Sequence, residues 1–103
     1  MSKFPASDGN AQAPDWSGDG KRVAVQSAVG DPKNEKTHVG NIWVVDVETG
    51  AARKLAPHSQ PYLDELPNWF PDGKRIAFQS NRTGRWEVWV MNADGTGAKQ
   101  LTR

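Results

Sequence analysis

Apolar residues along this chain come in short runs closed off by turn formers. In the C-terminal half, Arg75, Ile76, Ala77, Phe78 and Gln79 make one β-prone run, residues 86–91 (WEVWVM) a second and 98–101 (AKQL) a shorter third. Ahead of them, Phe70-Pro71-Asp72-Gly73 sets Pro where a fixed negative φ is wanted and Gly where a positive φ is cheap, so the chain reverses there. Residues 81–84 (NRTG) and 92–97 (NADGTG) carry the same kind of signal. Counting the run that holds Trp69, this pattern predicts four short antiparallel strands joined by turns. In 42–45 (IWVV) and 88–91 (VWVM) both alternation phases are apolar, which predicts sheets covered on both faces.

The same unit occurs once upstream. Pro14, Trp16, Asp19, Gly20, Lys21, Arg22, Ala24, Gln26 and Ser27 recur 53 positions later as Pro67, Trp69, Asp72, Gly73, Lys74, Arg75, Ala77, Gln79 and Ser80. After a change in length, Trp43, Val44 and Leu55 recur 46 positions later as Trp89, Val90 and Leu101. The difference falls in one place, with fourteen residues at 28–41 against seven at 81–87. A four-stranded repeat of this length is what a propeller blade looks like, and stacked blades cover each other's faces where a two-layer sandwich would leave one face polar. The expected fold is therefore all-β: two propeller blades, each a four-stranded antiparallel sheet, completing a propeller by oligomerisation. Residues 1–13 form a polar arm and 14–55 blade 1, with a long loop at 28–41. Residues 56–103 supply an interblade link and blade 2. Strands of blade 1 are expected near 15–17, 22–26, 41–47 and 52–55.

The stretches PDWSGDGKRVAVQS and PNWFPDGKRIAFQSNRTGRWEVWVMNADG resemble the WD-like blade repeats of TolB-type β-propellers, over nearly all of the chain from Pro14 onward. Two departures stand out: Gly18 replaces the turn proline in the first copy, and Phe70 replaces the usual Ser in the second. The resemblance implies a blade and leaves function open. The repeat occurs in TolB itself, in propellers attached to serine peptidases and in some carbohydrate-active proteins. It also implies the bacterial periplasm for a parent protein; the compartment is otherwise open.

Composition narrows the chemistry. Thirteen basic residues against twelve acidic give a net charge of +1, so no polyanion field and no nucleic-acid partner are implied. Lys21-Arg22 and Lys74-Arg75 recur at one blade position and read as part of the repeat. With no Cys there is no disulfide, thiol nucleophile or cysteine metal site. Residues 1–13 lack the apolar core of a signal peptide, and no 18-residue apolar run predicts a membrane span. The five Trp, three Phe and one Tyr offset a lean hydrophobic content of 36 %.

In an up-and-down blade, connections alternate between two ends. The minimal turns at 18–20, 48–50, 71–73 and 94–95 then share one end. Loop 28–40, the link 56–66, the turn 81–85 and the arm share the other, which makes that end the candidate binding face. Its residues His38, His58, Tyr62, Asp64, Arg82 and Trp86 are the candidate ligand contacts. His38 and His58 are the only histidines, and their separation lacks metal-ligand spacing, so no metal or cofactor is expected. His58-Ser59 lacks the G-x-S-x-G elbow of a nucleophile. Asp64 and Glu65, adjacent on an extended segment, point to opposite faces, which is wrong for a glycosidase pair.

The expected function is a non-enzymatic scaffold binding a protein or small molecule. A propeller closes with roughly four to eight blades, so two blades call either for self-association, a homotrimer giving six blades, or for the remaining blades of a parent chain. The alternative is the propeller part of an enzyme, either a gating domain for a serine peptidase or a sugar-acid lyase; a fragment without independent function is the third reading.

Overall fold

A computed structural model describes residues 11–102, and within them every regular element is a strand. β1 (Gln12–Trp16), β2 (Arg22–Val29), β3 (Val39–Asp46) and β4 (Ala52–Leu55) form one antiparallel meander, and β5 (Asp64–Trp69), β6 (Arg75–Ser80), β7 (Glu87–Asn92) and β8 (Lys99–Gln100) form the second. Neighbouring strands are consecutive in sequence in both sheets, as an up-and-down blade requires. The expectation of two four-stranded antiparallel blades is met.

Turn chemistry closes each first hairpin. In blade 1, Asp19 Oδ1 accepts the Lys21 amide (2.9 Å) and the Ser17 hydroxyl (2.7 Å). In blade 2, Asp72 Oδ1 accepts the Lys74 amide (2.9 Å). The usual Ser of the first copy and the atypical Phe70 that replaces it in the second serve their turns differently. Ser17 Oγ accepts the Arg22 amide at 3.1 Å. Phe70, its counterpart, instead lies under the Arg75 guanidinium, 4.3 Å from the ring centroid.

The long loop is shorter than expected. Ala28 pairs with Gly40 and Val29 with Val39, so the excursion from the ladder is 30–38 rather than 28–41. The charged run that follows hides this extension in the sequence. Its own turns are local, with Asp31 and Asn34 side chains accepting the amides of Lys33 (2.9 Å) and Lys36 (3.1 Å). At the other terminus, Gln12 and Ala13 of the expected arm belong to β1 and Ala11 directly precedes it; residues 1–10 lie outside the described residues.

The core lies between the blades. Ala24, Ile42, Val44 and Leu55 on one face of blade 1 meet Ile76, Phe78 and Met91 of blade 2, with Trp69 and Trp89 packed against them. Burying side chains of this size stabilises by about 1.5–3 kcal/mol each. Trp43, the repeat counterpart of Trp89, pairs with Val25 and so faces away from this core. It is nonetheless buried, together with Val25 and Val45.

Polar contacts lock the blades together along the inner strands. Asp15 Oδ2 accepts the Trp69 amide (2.7 Å), and the Asp15 carbonyl accepts the Trp69 indole N–H (3.0 Å). Gln26 Oε1 accepts the Leu66 amide at 2.6 Å. Arg22 donates to the Gly73 carbonyl (3.2 Å) while its guanidinium covers the Trp69 ring at 4.5 Å. Each inner strand carries an irregularity in register. Ala13 and Leu66, 53 positions apart, hold the same positive φ there, 51° and 52°. The bulge is thus part of the repeat.

Candidate functional site

The link after β4 crosses from one blade to the other at the loop-bearing end. Its central residue is His58. The Asn41 side chain clasps His58 by its backbone, with Oδ1 accepting the amide (3.1 Å) and Nδ2 donating to the carbonyl (3.2 Å). The imidazole lies with Nε2 2.8 Å from the Gly40 carbonyl oxygen and Nδ1 3.1 Å from that of Gln60. It stacks on Tyr62, centroid to centroid 3.6 Å. Both ring nitrogens therefore face main-chain oxygens, an arrangement that positions the link.

Asp64, the first residue of β5, is 1 % exposed. Its Oδ1 accepts from Arg82 Nη2 at 2.9 Å, and its Oδ2 lies 3.7 Å from His58 Nε2. Arg82 sits on the turn after β6, where Nε donates to Ser80 Oγ (3.1 Å). Its guanidinium packs over Trp89 (4.5 Å), Tyr62 (4.9 Å) and Phe78 (5.6 Å). A planar cation suits this box of aromatic faces better than an ammonium would. Burial in the same box raises the Tyr62 phenol above its ordinary value, with the Asp64 carboxylate adding to the rise and Arg82 opposing it. Asn81 then ties the turn to the link, its Oδ1 accepting the Leu63 amide at 2.7 Å.

Four of the six sequence candidates, His58, Tyr62, Asp64 and Arg82, thus form one contact group. His38 does not join it. It lines a neighbouring cavity of about 420 Å³ with Gln12, Gln26, Gly40, Asp64 and Glu65. Trp86 stands on the surface, 47 % exposed. Glu65 accepts from Gln79 at 3.2 Å, while Asp64 turns to Arg82, so the two adjacent carboxylates do part company. Among the described residues, no group of three His, Cys, Asp or Glu side chains is placed to hold a metal ion. Sequence reading missed Asn41, Asn81 and Gly40. Gly40 allows the link to lie against β3: a Cβ there would stand 2.9 Å from Leu63 Cδ2 and 3.3 Å from Leu63 Cα.

The match to known proteins follows this geometry. A family model described as the TolB beta propeller domain covers residues 2–103. The chain belongs to that family. It is 42 % identical over 91 residues to the Tol-Pal system protein TolB of Anaeromyxobacter sp. (strain K), covering 87 % of this chain and 18 % of that protein. It is 34 % identical to an uncharacterized peptidase, YuxL, of Bacillus subtilis, covering 86 % of this chain and 13 % of that one. Among solved structures, a putative TolB from Agrobacterium tumefaciens superposes with a TM-score of 0.71 at 25 % identity, over 93 % of this chain and 31 % of that one. The propeller domain of the Trilobed protease from Pyrococcus furiosus gives 0.66 at 22 %, over 96 % and 28 %, which bears on the fold alone. This TolB-family chain therefore spans less than a third of each of these proteins.

Proposed function

We propose that the chain is a non-enzymatic binding scaffold: two blades of a propeller that other blades complete, presenting a ligand face at the loop-bearing end. One observation carries the need for completion. Ile42 and Leu55 of blade 1 are fully buried under blade 2, whereas their repeat counterparts Val88 and Leu101 are 40 % and 51 % exposed. The exposed face repeats a face that, in this same chain, takes a blade. Three copies would supply six blades and close the ring through head-to-tail contacts. The blade 1 residues that would meet Val88 and Leu101 are Val25, Trp43 and Val45, already 5–6 % exposed. A second copy would therefore meet a face that is already buried in the single chain, and assembly is expected only at raised protein concentration. The proposed ligand contacts are His38, Asp64 and Glu65 around the 420 Å³ cavity, with His58, Tyr62 and Arg82 gathered behind Asp64 and Trp86 exposed on the following turn. A cavity of this size fits a small polar molecule or one side chain of a protein partner.

Small-angle X-ray scattering tests completion. The single chain has a radius of gyration of 13.0 Å, and a closed three-chain particle is expected near about 19 Å. A value that stays at the single-chain figure up to millimolar protein overturns self-completion.

A second reading is favoured by the likeness to YuxL: the blades belong to the propeller of a peptidase, and the catalytic domain lies in other parts of a longer protein. Mixing the chain with such a domain and observing no complex would count against it.

A further inference from the structure

The repeat makes the missing interface readable residue by residue. Inside the chain, blade 1 offers acceptors and a cation, and blade 2 offers the start of its inner strand. Gln26 takes the amide of Leu66, Asp15 takes the amide and indole N–H of Trp69, and Arg22 covers that indole and reaches the Gly73 carbonyl. Moving each partner by the repeat interval gives a second set. Gln26, Asp15 and Arg22 become Gln79, Asn68 and Arg75, and Leu66, Trp69 and Gly73 become Ala13, Trp16 and Gly20.

From this correspondence we infer that Asn68, Arg75 and Gln79 are the receiving half of a latch for a second copy of this chain. Ala13, Trp16 and Gly20 of that copy are the entering half. The inference rests on the self-completing reading above and specifies its contacts. Gln79 Oε1 accepts the Ala13 amide; the Asn68 side-chain oxygen accepts the Trp16 amide, its carbonyl accepts the Trp16 indole N–H, and Arg75 lies over the indole.

The polar and aromatic groups of both halves are in the state that this predicts for one isolated chain, while the apolar face beside the entering half, Val25, Trp43 and Val45, is already buried. Trp16 is 57 % exposed although its counterpart Trp69 is covered. Ala13 holds the same left-handed backbone as Leu66, so its amide is set as the Leu66 amide is. Gln79 uses its Nε2 on Glu65, which leaves its oxygen to accept. Among the described residues, Arg75 meets its own turn, over Phe70 and 3.6 Å from Asp72, with half its side chain exposed. The acceptor Asn68 is the one weakened member: where blade 1 has a carboxylate, blade 2 has an amide. A charged acceptor binds roughly twice as strongly as a neutral one, so the latch between copies is looser than the one within the chain.

Disulfide trapping tests this directly, because the chain has no cysteine of its own. Ala13→Cys with Gln79→Cys should cross-link between copies under mild oxidation, giving a closed trimer. Leu66→Cys with Gln26→Cys is the internal standard and should close within one chain. Separately, Asn68→Asp should tighten assembly about fivefold or more, one charged hydrogen bond's worth, and Asn68→Leu should weaken it by a similar factor. If the internal pair closes and the unmodified chain assembles, yet the 13/79 pair stays uncross-linked and Asn68→Asp changes nothing, the latch is wrong and self-completion stands. If the unmodified chain stays monomeric throughout, both fall.

Discussion

Leu55 and Leu101 are the same residue at the same place in the same repeat, yet one is fully buried and the other half exposed. Ile42 and Val88 differ in the same way. The outer ladder of blade 2 is shorter, two residue pairs against four, and Leu101 lies just past β8, yet its amide still bonds the Val88 carbonyl at 2.8 Å; the larger part of the contrast comes from what lies against the sheet. A blade's burial pattern is a property of its neighbour. An apolar face of this kind is an interface with or without a partner, and blade 1 displays the partner that blade 2 lacks.

The comparison can be broken most forcefully at the two leucines. Leu55→Ala should cost about 3 kcal/mol in urea unfolding of the dilute chain, as a filled core site does. Leu101→Ala should cost under about 1 kcal/mol. Raising the protein concentration should bring the second value toward the first, and equal costs in the dilute chain would refute the contrast.

A similar loss, about 3 kcal/mol, is expected for Arg82→Ala, which strands the buried Asp64 carboxylate. Counting back 53 residues from Asp64 and Arg82 reaches Ala11 and Val29, so blade 1 manages without this pair. Asp64→Ala together with Arg82→Val should therefore recover most of the loss. No recovery in the double variant would mean that the guanidinium acts through its aromatic contacts instead.

Gly40→Ala should cost about 1–2 kcal/mol, because backbone and side chain of Leu63 stand in the way of the new methyl. A neutral result would show that the link can shift away from β3.

The smallest effects are those of pH. Asp19 is held below its ordinary 3.8 first by the Lys21 amide and then by the Ser17 hydroxyl, and Asp94 by Thr96 through side chain and amide. Their contribution is present above pH 3.8 and is lost as pH falls through their lowered values. Tyr62 runs the other way. Its contribution is intact below pH 10 and is lost as pH rises through its raised value. Urea midpoints measured against pH should fall at both extremes, with Asp19→Asn flattening the acid side and Tyr62→Phe the alkaline side. Unchanged slopes in those variants would remove the assignments.

The fold was legible because its evidence is local and doubled. Pro-Asp-Gly and Asp-Gly turns, alternating runs and two copies in register all point to the same meander. The end of the blades that carries the longer connections was legible too, since alternation of connections follows from strand order. Two kinds of information were not. Ala28 and Val29 continue β2 opposite Gly40 and Val39, a pairing concealed by the charged loop beside it. The partners of His58 and Asp64 depend on groups brought together by the fold, the Asn41 and Arg82 side chains and the Gly40 carbonyl, whose spacing carries no period. The interblade roles of Gln26 and Arg22 lay between these cases: their recurrence marked them as structural, but only the contact with Leu66 and Trp69 says how.

Molar mass by light scattering, on a sizing column and across a dilution series, tests the central claim most directly. An open blade face that takes a second copy predicts a species near three times the chain's 11.3 kDa, growing with concentration and, once formed, slow to dissociate. A mass of one chain at every concentration would contradict it, and would leave the exposed face of blade 2 to the further blades of a longer protein.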